Sequence, residues 1–96
     1  MKKYKKKPVI IEAIQWTGEN LNEIIAETGL HESAKHMKWE EYQELVSKKG
    51  FKIFTAEGPL MVPVYHWIIK GYSEKLGYHC WPVDPNYFVE NYELVK

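Results

Sequence analysis

The strongest candidate for a nucleophile is the single cysteine, Cys80, which follows His79 directly. A thiol needs a general base within hydrogen-bond reach before it can attack a substrate. Consecutive residues of a strand point to opposite faces, so His79 is a poor base for Cys80 if both lie on one strand. A lone cysteine of this kind is more often a small buried apolar side chain, and we predict no catalytic role for it.

The sequence gives little support for a metal site or for catalysis by a pair of carboxylates. The four histidines are scattered along the chain, at His31, His36, His66 and His79. A structural zinc site uses about four ligands in tight pairs, so we predict no metal. Glu12 and Glu57 could each act as an acid or base, but neither has a second carboxylate at a defined spacing. We therefore predict no enzyme and no cofactor, with a small enzyme using Cys80 or Glu57 as the least supported alternative.

The aromatic side chains are the most informative chemical feature. They lie on predicted strands or at strand ends, with polar groups between them. A wall of rings with a few polar side chains suits a planar ligand such as a nucleobase, and a lysine nearby could hold a phosphate. The predicted ligand-binding residues are Gln15, Trp16, Tyr65, Trp67, Lys70, Tyr78 and Trp81.

The same aromatic residues fit two other roles. Four Trp, seven Tyr and three Phe could form the core of a small domain, because each ring buries a large area. They could also form a protein interface, where aromatic residues are enriched. A ligand site predicts that replacing Trp16, Trp67 or Trp81 by Ala abolishes binding without unfolding, whereas a core role predicts unfolding.

Size and charge limit the possible partners. Ninety-six residues, 45% of them hydrophobic, suffice for one domain. Five of the 13 basic residues are lysines within the first seven positions, which leaves eight against 13 acidic residues in the rest of the chain. We therefore predict a basic arm over residues 1–8 and a single domain over residues 9–96. The chain has no arginine, which weakens the case for specific nucleic-acid binding.

The lengths of the apolar runs, the cysteine content and the unpaired sheet edges predict the cellular location and the oligomeric state. No run approaches the roughly 18 consecutive apolar residues that a membrane helix requires, so we predict no membrane association. A single cysteine suits a reducing compartment, and we predict the cytoplasm. Unpaired sheet edges in so small a domain favour a homodimer.

The first half of the chain predicts one strand followed by two helices. Residues 9–16 form a strand with two apolar faces, which is typical of a central position in a sheet. Asn20 and Glu23 predict a capping box for a helix that Gly29 ends. Apolar residues at three- and four-residue steps predict a second helix over residues 37–48.

The second half predicts four short strands and a helical turn. The strands cover residues 51–56, 60–64, 67–70 and 78–81, with a hairpin over residues 71–77. Asp84-Pro85 predicts an N-cap and one helical turn through Phe88, followed by an edge strand over residues 92–95. The element order predicts an α+β fold, with a small, mostly antiparallel meandering sheet and two helices after the first strand.

Five segments carry a resemblance to known proteins. They are KKPVIIEAIQW at residues 6–16, a Thr-x-Glu-Gly turn at 55–58, WIIKG at 67–71, Tyr-x-Cys at 78–80, and Phe88 with Tyr92. Together they resemble a family of small uncharacterised phage and prophage proteins, with residues 30–50 unmatched. Two features depart from the family pattern. The family carries Gly-Asp where this chain has Tyr65-His66, and the link from Pro82 to Phe88 is longer here.

The resemblance implies a viral or prophage origin, and small proteins of that kind often act by binding. We therefore predict a non-enzymatic binding protein that blunts host defence by sequestering a nucleotide-like signal. The alternative is a protein-interaction module that inhibits or docks on a host or phage protein.

Overall fold

The computed structural model describes residues 1–4, 9–30, 34–55 and 57–95. The elements in chain order are β1 (Glu12–Gln15), α1 (Leu21–Thr28), α2 (Trp39–Lys49), β2 (Phe51–Thr55), β3 (Gly58–Val62), β4 (Trp67–Ser73), β5 (Gly77–Val83) and α3 (Pro85–Asn91). The predicted α+β class, with two helices after the first strand, is confirmed. Within the described residues, no helix is long and apolar enough to cross a membrane.

The strands form two antiparallel sheets, whereas the sequence predicted a single meander. One sheet has the order β1-β4-β5, and the other is the β2–β3 hairpin. β1 therefore lies at an edge, with β4 as its one strand partner among the described residues, and its predicted central position is wrong. Of the predicted strand over residues 9–16, only Glu12–Gln15 is paired, and Glu12 and Ala13 are exposed.

The helix ends follow local signals, with one exception. Gly29 ends α1 with φ 81°, and its N–H donates to the Ile25 carbonyl at 2.8 Å, as predicted. The predicted capping box is wrong, because the Asn20 side chain does not cap α1. Its Oδ1 accepts from the Thr17 N–H at 2.9 Å and its Nδ2 donates to the Gln15 carbonyl at 2.8 Å. Asn20 therefore fixes the connection between β1 and α1.

The end of the chain is more helical than predicted. Asp84 caps α3 by accepting the Tyr87 N–H at 2.9 Å, with Pro85 at the first helical position, as predicted. The helix then continues to Asn91, well beyond the single turn through Phe88. No strand forms over residues 92–95, so that prediction is wrong.

The third strand also differs from its prediction. β3 covers Gly58–Val62, whereas residues 60–64 were expected. Pro63 lies just outside the strand, and Pro59 lies inside it. β3 pairs with β2 in a two-stranded sheet, so its other edge joins no ladder. A proline is tolerated at a position where the backbone N–H would face that unpaired edge.

The three-stranded sheet has two different faces, because side chains alternate along each strand and cross-strand partners share a face. We name the helix face as the side that carries Ile14, Ile68, Lys70, Tyr78 and Cys80. The hydrophobic core lies on this side of the sheet, where side chains of the sheet pack with those of α1, α2 and the β2–β3 hairpin. Its buried members are Trp16, Leu21, Ile24, Val46, Phe51, Ile53, Val62 and Ile68.

We name the aromatic face as the opposite side, which carries Gln15, Trp67, Ile69, His79 and Trp81. Its cover is made of rings. Trp67 stacks on Phe88 of α3, with ring centroids 3.9 Å apart and planes at 7°. Gly71 leaves room for the Trp81 ring, since a Cβ there would lie 2.9 Å from that ring. Ile69 is fully buried beneath this layer.

Candidate functional site

The structure divides the predicted ligand-binding residues among four places. Gln15, Trp67 and Trp81 lie on the aromatic face, Lys70 and Tyr78 on the helix face, Trp16 in the core, and Tyr65 in a turn before β4. They therefore do not form one continuous wall. Tyr65 precedes β4, so it does not share a strand face with Trp67.

Trp16 occupies the centre of the core. It is 5% exposed, and its ring lies 5.3 Å from that of Phe51. Its backbone also ties the β1 end to the turn before β4, because the Trp16 N–H donates to the His66 carbonyl at 3.0 Å. A ligand could reach this ring only by opening the core, which matches the interpretation of the aromatic residues as core.

The other tryptophans are covered by neighbouring rings. Trp67 stacks on Phe88, and Trp81 stacks on His79 with centroids 5.0 Å apart. The Gln15 amide, expected to face a ligand, donates to the Tyr65 carbonyl at 2.9 Å. The polar and aromatic groups of this face are therefore engaged with one another.

Lys70 joins the sheet to the end of α1. Its Nζ donates to the Glu27 carbonyl at 3.4 Å and lies 5.9 Å from the centre of the Tyr78 ring. The last turn of α1 has no basic residue of its own. A cation at this position stabilises the unpaired carbonyls and the negative end of the helix dipole. Lys70 therefore serves the helix rather than standing free for a phosphate.

A groove opens beside this contact, between the end of α1, α2, β2 and the beginning of β5. Its volume is about 360 Å³, which falls within the usual range of small-molecule sites. Four phenylalanine and tyrosine rings from three elements line it: Tyr42 from α2, Phe51 and Phe54 from β2, and Tyr78 from β5. The remaining lining is Ile25, Thr28, Gly29, Leu30, Lys52, Ile53, His79 and Cys80.

The groove contains hydrogen-bond donors as well as rings. The Tyr42 phenol is a protonated donor across the neutral range, and burial raises its pKa further. Lys52 is exposed on β2 and adds a positive charge at the rim. Phe54 is 46% exposed and Tyr78 is 76% exposed, so both rings are accessible to a ligand.

Cys80 lies in the groove but has the wrong electrostatics for a nucleophile. Burial raises the pKa of its thiol, and the nearby Lys70 charge lowers that pKa by less. The His79 ring stacks with Trp81 on the opposite face, as the alternation of strand residues predicted. Its Nδ1 contacts the Gly77 carbonyl at 3.0 Å. The described part of the chain therefore offers the thiol no histidine base from its own strand.

A second, smaller opening lies between β1 and α1. Its volume is about 270 Å³, and it is lined by Glu12, Ala13, Ile14, Glu27, Thr28, Ile68 and Lys70. It contains no aromatic ring, and the Lys70–Glu27 hydrogen bond crosses it. Two acidic side chains make it a poor place for an anionic ligand.

Metal binding gains no support. In the described segments, no three His, Cys, Asp or Glu side chains come together in a way that could hold an ion. His31, one of the four scattered histidines, lies outside the described residues.

Sequence reasoning missed most of the groove, since Tyr78 is the one predicted ligand-binding residue among its four phenylalanine and tyrosine rings. Alternation along β2 gave a partial signal for Phe54, because Phe51 and Ile53 point into the core and Phe54 must point outward. Tyr42 was assigned to the apolar stripe of α2, and it does pack against the core. Nothing in the local sequence of Lys52 indicates that it borders a groove.

Comparison with known proteins yields no relative for this chain. No protein-family model, curated protein or solved structure matches it. The choice of binding site therefore depends on the groove and on its own side chains.

Proposed function

We propose that this chain is a small non-enzymatic binding protein that holds a flat, nucleotide-like ligand in the groove. The observation that carries the proposal is the convergence of Tyr42, Phe54 and Tyr78, from three separate elements, on one opening of about 360 Å³. Aromatic rings around a concave site are suited to stacking against a planar base, and each such contact is worth roughly 1–3 kcal/mol. The protonated Tyr42 phenol supplies a donor, and Lys52 supplies a charge for a phosphate at the rim.

The biological role follows from the resemblance to small phage and prophage proteins. We place the protein in the cytoplasm of the host cell. There, sequestration of a nucleotide signal would blunt host defence without any chemical reaction. The raised pKa of Cys80 argues against this thiol as a nucleophile, because the reactive form of a cysteine is the thiolate.

The first experiment is a thermal-shift scan of the purified protein against nucleotides, cyclic dinucleotides and ADP-ribose derivatives. A ligand at about 100 times its Kd adds roughly 2.7 kcal/mol to the free energy of unfolding, which raises Tm by several degrees. We expect at least one compound of these classes to produce that shift. If none does, the proposed ligand class is wrong.

Two variants place the ligand in the groove. Phe54→Ala and Tyr78→Ala each remove an exposed ring, so we expect the fold to persist while Kd rises about tenfold or more. Tyr87→Ala is the matched control, since Tyr87 is 48% exposed on α3, outside the groove. Lys52→Met should weaken the binding of phosphorylated ligands and leave the binding of the corresponding nucleosides unchanged. A ligand that binds Phe54→Ala and Tyr78→Ala as tightly as the wild type does not occupy the groove.

A protein-interaction module is the second candidate, and the β4–β5 hairpin favours it. Tyr72 is 62% exposed and Tyr78 is 76% exposed, and their rings meet edge to face at 5.2 Å. Leu76 at the turn is 48% exposed. This candidate predicts a host protein that is captured by the wild type and lost with Tyr72→Ala, together with a silent thermal-shift scan. Turnover abolished by Cys80→Ser or Glu57→Gln would contradict both candidates and favour an enzyme.

A further inference from the structure

The groove has few charged side chains. Lys52 is the one lysine among the described residues that line it, and no Asp or Glu is among them. His79 also belongs to the lining, but its ring stacks with Trp81 on the aromatic face. The described lining therefore offers a bound anion one lysine, with no carboxylate to repel it.

Strand alternation places this lysine beside an exposed ring. Phe51 and Ile53 are buried in the core, so Lys52 and Phe54 lie together on the other side of β2. Lys52 and Phe54 are both exposed. A lysine ammonium ends a flexible four-carbon stem, so Lys52 can reach a phosphate on a ligand whose base stacks on Phe54.

Another wall of the groove has the opposite polarity, because it is the C-terminal end of α1. Thr28 is the last residue of this helix, and both Thr28 and Gly29 line the groove. The last carbonyls of a helix have no partner within it and carry a partial negative charge. Lys70 donates to one of them, the carbonyl of Glu27. The Thr28 carbonyl accepts no hydrogen bond from a described residue, so it is left as an acceptor at this wall.

This environment does not suit a chain of phosphates. Proteins that bind polyphosphates often use a helix N-terminus, whose N–H groups and dipole favour negative charge. The groove meets a helix C-terminus instead, and its negative end would repel added phosphates. The volume of about 360 Å³ also lies near the lower end of the usual range for small-molecule sites. Both features favour a small ligand with one phosphate.

We propose that the ligand of the groove is a nucleotide with a single phosphate and an amino group on its base, bound with the phosphate against Lys52 and the amino group toward the end of α1. The N–H of such an amine is a donor that the Thr28 carbonyl can accept. A base with a carbonyl oxygen in that place would bring two acceptors together. This inference rests on the function proposed above and narrows its ligand class.

The test is isothermal titration calorimetry of the wild-type protein with two sets of compounds, in buffer without divalent cations. In the first set, AMP should bind about tenfold more tightly than adenosine, and ADP and ATP should bind no more tightly than AMP. The second set contains the pairs AMP with IMP and CMP with UMP, in which an amine is exchanged for a carbonyl oxygen. The amino member of the pair should bind about fivefold more tightly.

Variants of Lys52 separate a contact with the phosphate from a general effect on the fold. In Lys52→Met, AMP should bind no more tightly than adenosine, whose own affinity should not change. Lys52→Arg keeps the charge and should retain the preference for AMP. Lys75→Met is the matched control, because Lys75 is exposed in the turn between β4 and β5, outside the groove.

The outcomes distinguish a failure of this inference from a failure of the proposed function. If ATP binds more tightly than AMP, or if IMP and UMP bind as tightly as AMP and CMP, this inference is overturned and the proposed function stands. The same holds if cyclic dinucleotides or ADP-ribose derivatives bind and no mononucleotide does. If no compound of any of these classes binds, both are wrong.

Discussion

The two faces of the three-stranded sheet bury adjacent isoleucines in different ways. Ile68, on the helix face, is 1% exposed and belongs to the core cluster with α1, α2 and the β2–β3 hairpin. Ile69, on the aromatic face, is 0% exposed, but the Trp67 and Trp81 rings on the same face are themselves only partly buried. The helix face is closed by separate elements, whereas the aromatic face depends on a thin layer of rings and one short helix. Two side chains that are equally buried can therefore differ in the stability that is lost when each is replaced by a smaller one.

The largest effect is expected from alanine at these two positions. Ile68→Ala leaves a cavity between well-packed elements, so we expect a loss near the upper end of the usual range, about 4 kcal/mol. Ile69→Ala should cost less, about 2–3 kcal/mol, because partly exposed rings can move into the space. Urea unfolding of both variants measures the difference. A larger loss for Ile69→Ala would show that the aromatic face is the more rigid one.

Removal of the stacked ring should be the next largest effect. Trp67→Ala deletes the contact with Phe88 that holds α3 on the sheet, and we expect a loss of about 3 kcal/mol. Hydrogen exchange within α3 should accelerate more than exchange within α1. Tyr72→Ala, which removes a 62% exposed ring on the helix face, is the control. It should change the stability and the hydrogen exchange of α3 very little. Equal protection of α3 in the variant and the wild type would mean that other contacts hold the helix.

The cap of α3 should contribute a smaller amount. Asp84→Ala removes the acceptor of the Tyr87 N–H, and such caps are typically worth about 1 kcal/mol. Asp84→Asn keeps an oxygen acceptor and should retain most of the stability, which separates the hydrogen bond from the charge. The measurement is again the free energy of unfolding. An Asn variant as unstable as the Ala variant would attribute the effect to charge.

The smallest effect concerns the thiol on the helix face. Burial raises the pKa of Cys80, and the Lys70 charge lowers it by less. Lys70→Met should therefore raise the pKa of the thiol further, so alkylation by iodoacetamide at mildly alkaline pH should slow and its pH profile should move upward. Lys70→Arg keeps the charge and should leave the profile in place. An unchanged profile in Lys70→Met would contradict the electrostatic coupling.

The raised pKa values also fix the sign of the pH dependence of stability. The folded state holds the protons of Cys80 and Tyr42 to higher pH than the unfolded chain does. Their contribution is therefore complete below the unfolded pKa values and is lost as pH rises through the folded ones. Cys80→Ala should make the thermal midpoint fall less steeply with pH in the thiol range.

Local signals in the sequence predicted the element types well. Gly29 ends a helix with a positive φ, and Asp84-Pro85 begins one, as their sequence context indicated. Each of these features depends on a few neighbouring residues, which is why a sequence pattern can identify it. The Asn20 capping box failed because Asn20 had competing partners in Thr17 and Gln15. Those competing hydrogen bonds depend on how the end of β1 meets α1, which the helix pattern does not contain.

Packing partners were much harder to predict. The aromatic wall was assembled from residues close in sequence, such as Tyr65 with Trp67, whereas the groove combines rings from three distant elements. β1 was assigned a central position because both of its faces contain apolar residues, yet it lies at an edge. Apolar composition indicates that a residue can be covered but does not say by what. Only Tyr78 was common to the predicted site and the groove.

The sequence by itself determined the α+β class, the ends of most helices and the alternation that separates His79 from Cys80. The tertiary structure alone decided that Trp16 is core, that Lys70 caps α1, and that Tyr42, Phe54 and Tyr78 face one opening. The physical reason is the range of the interactions. Turns, caps and strand alternation follow from backbone geometry over a few residues. Burial and grooves arise instead where residues far apart in the chain pack together.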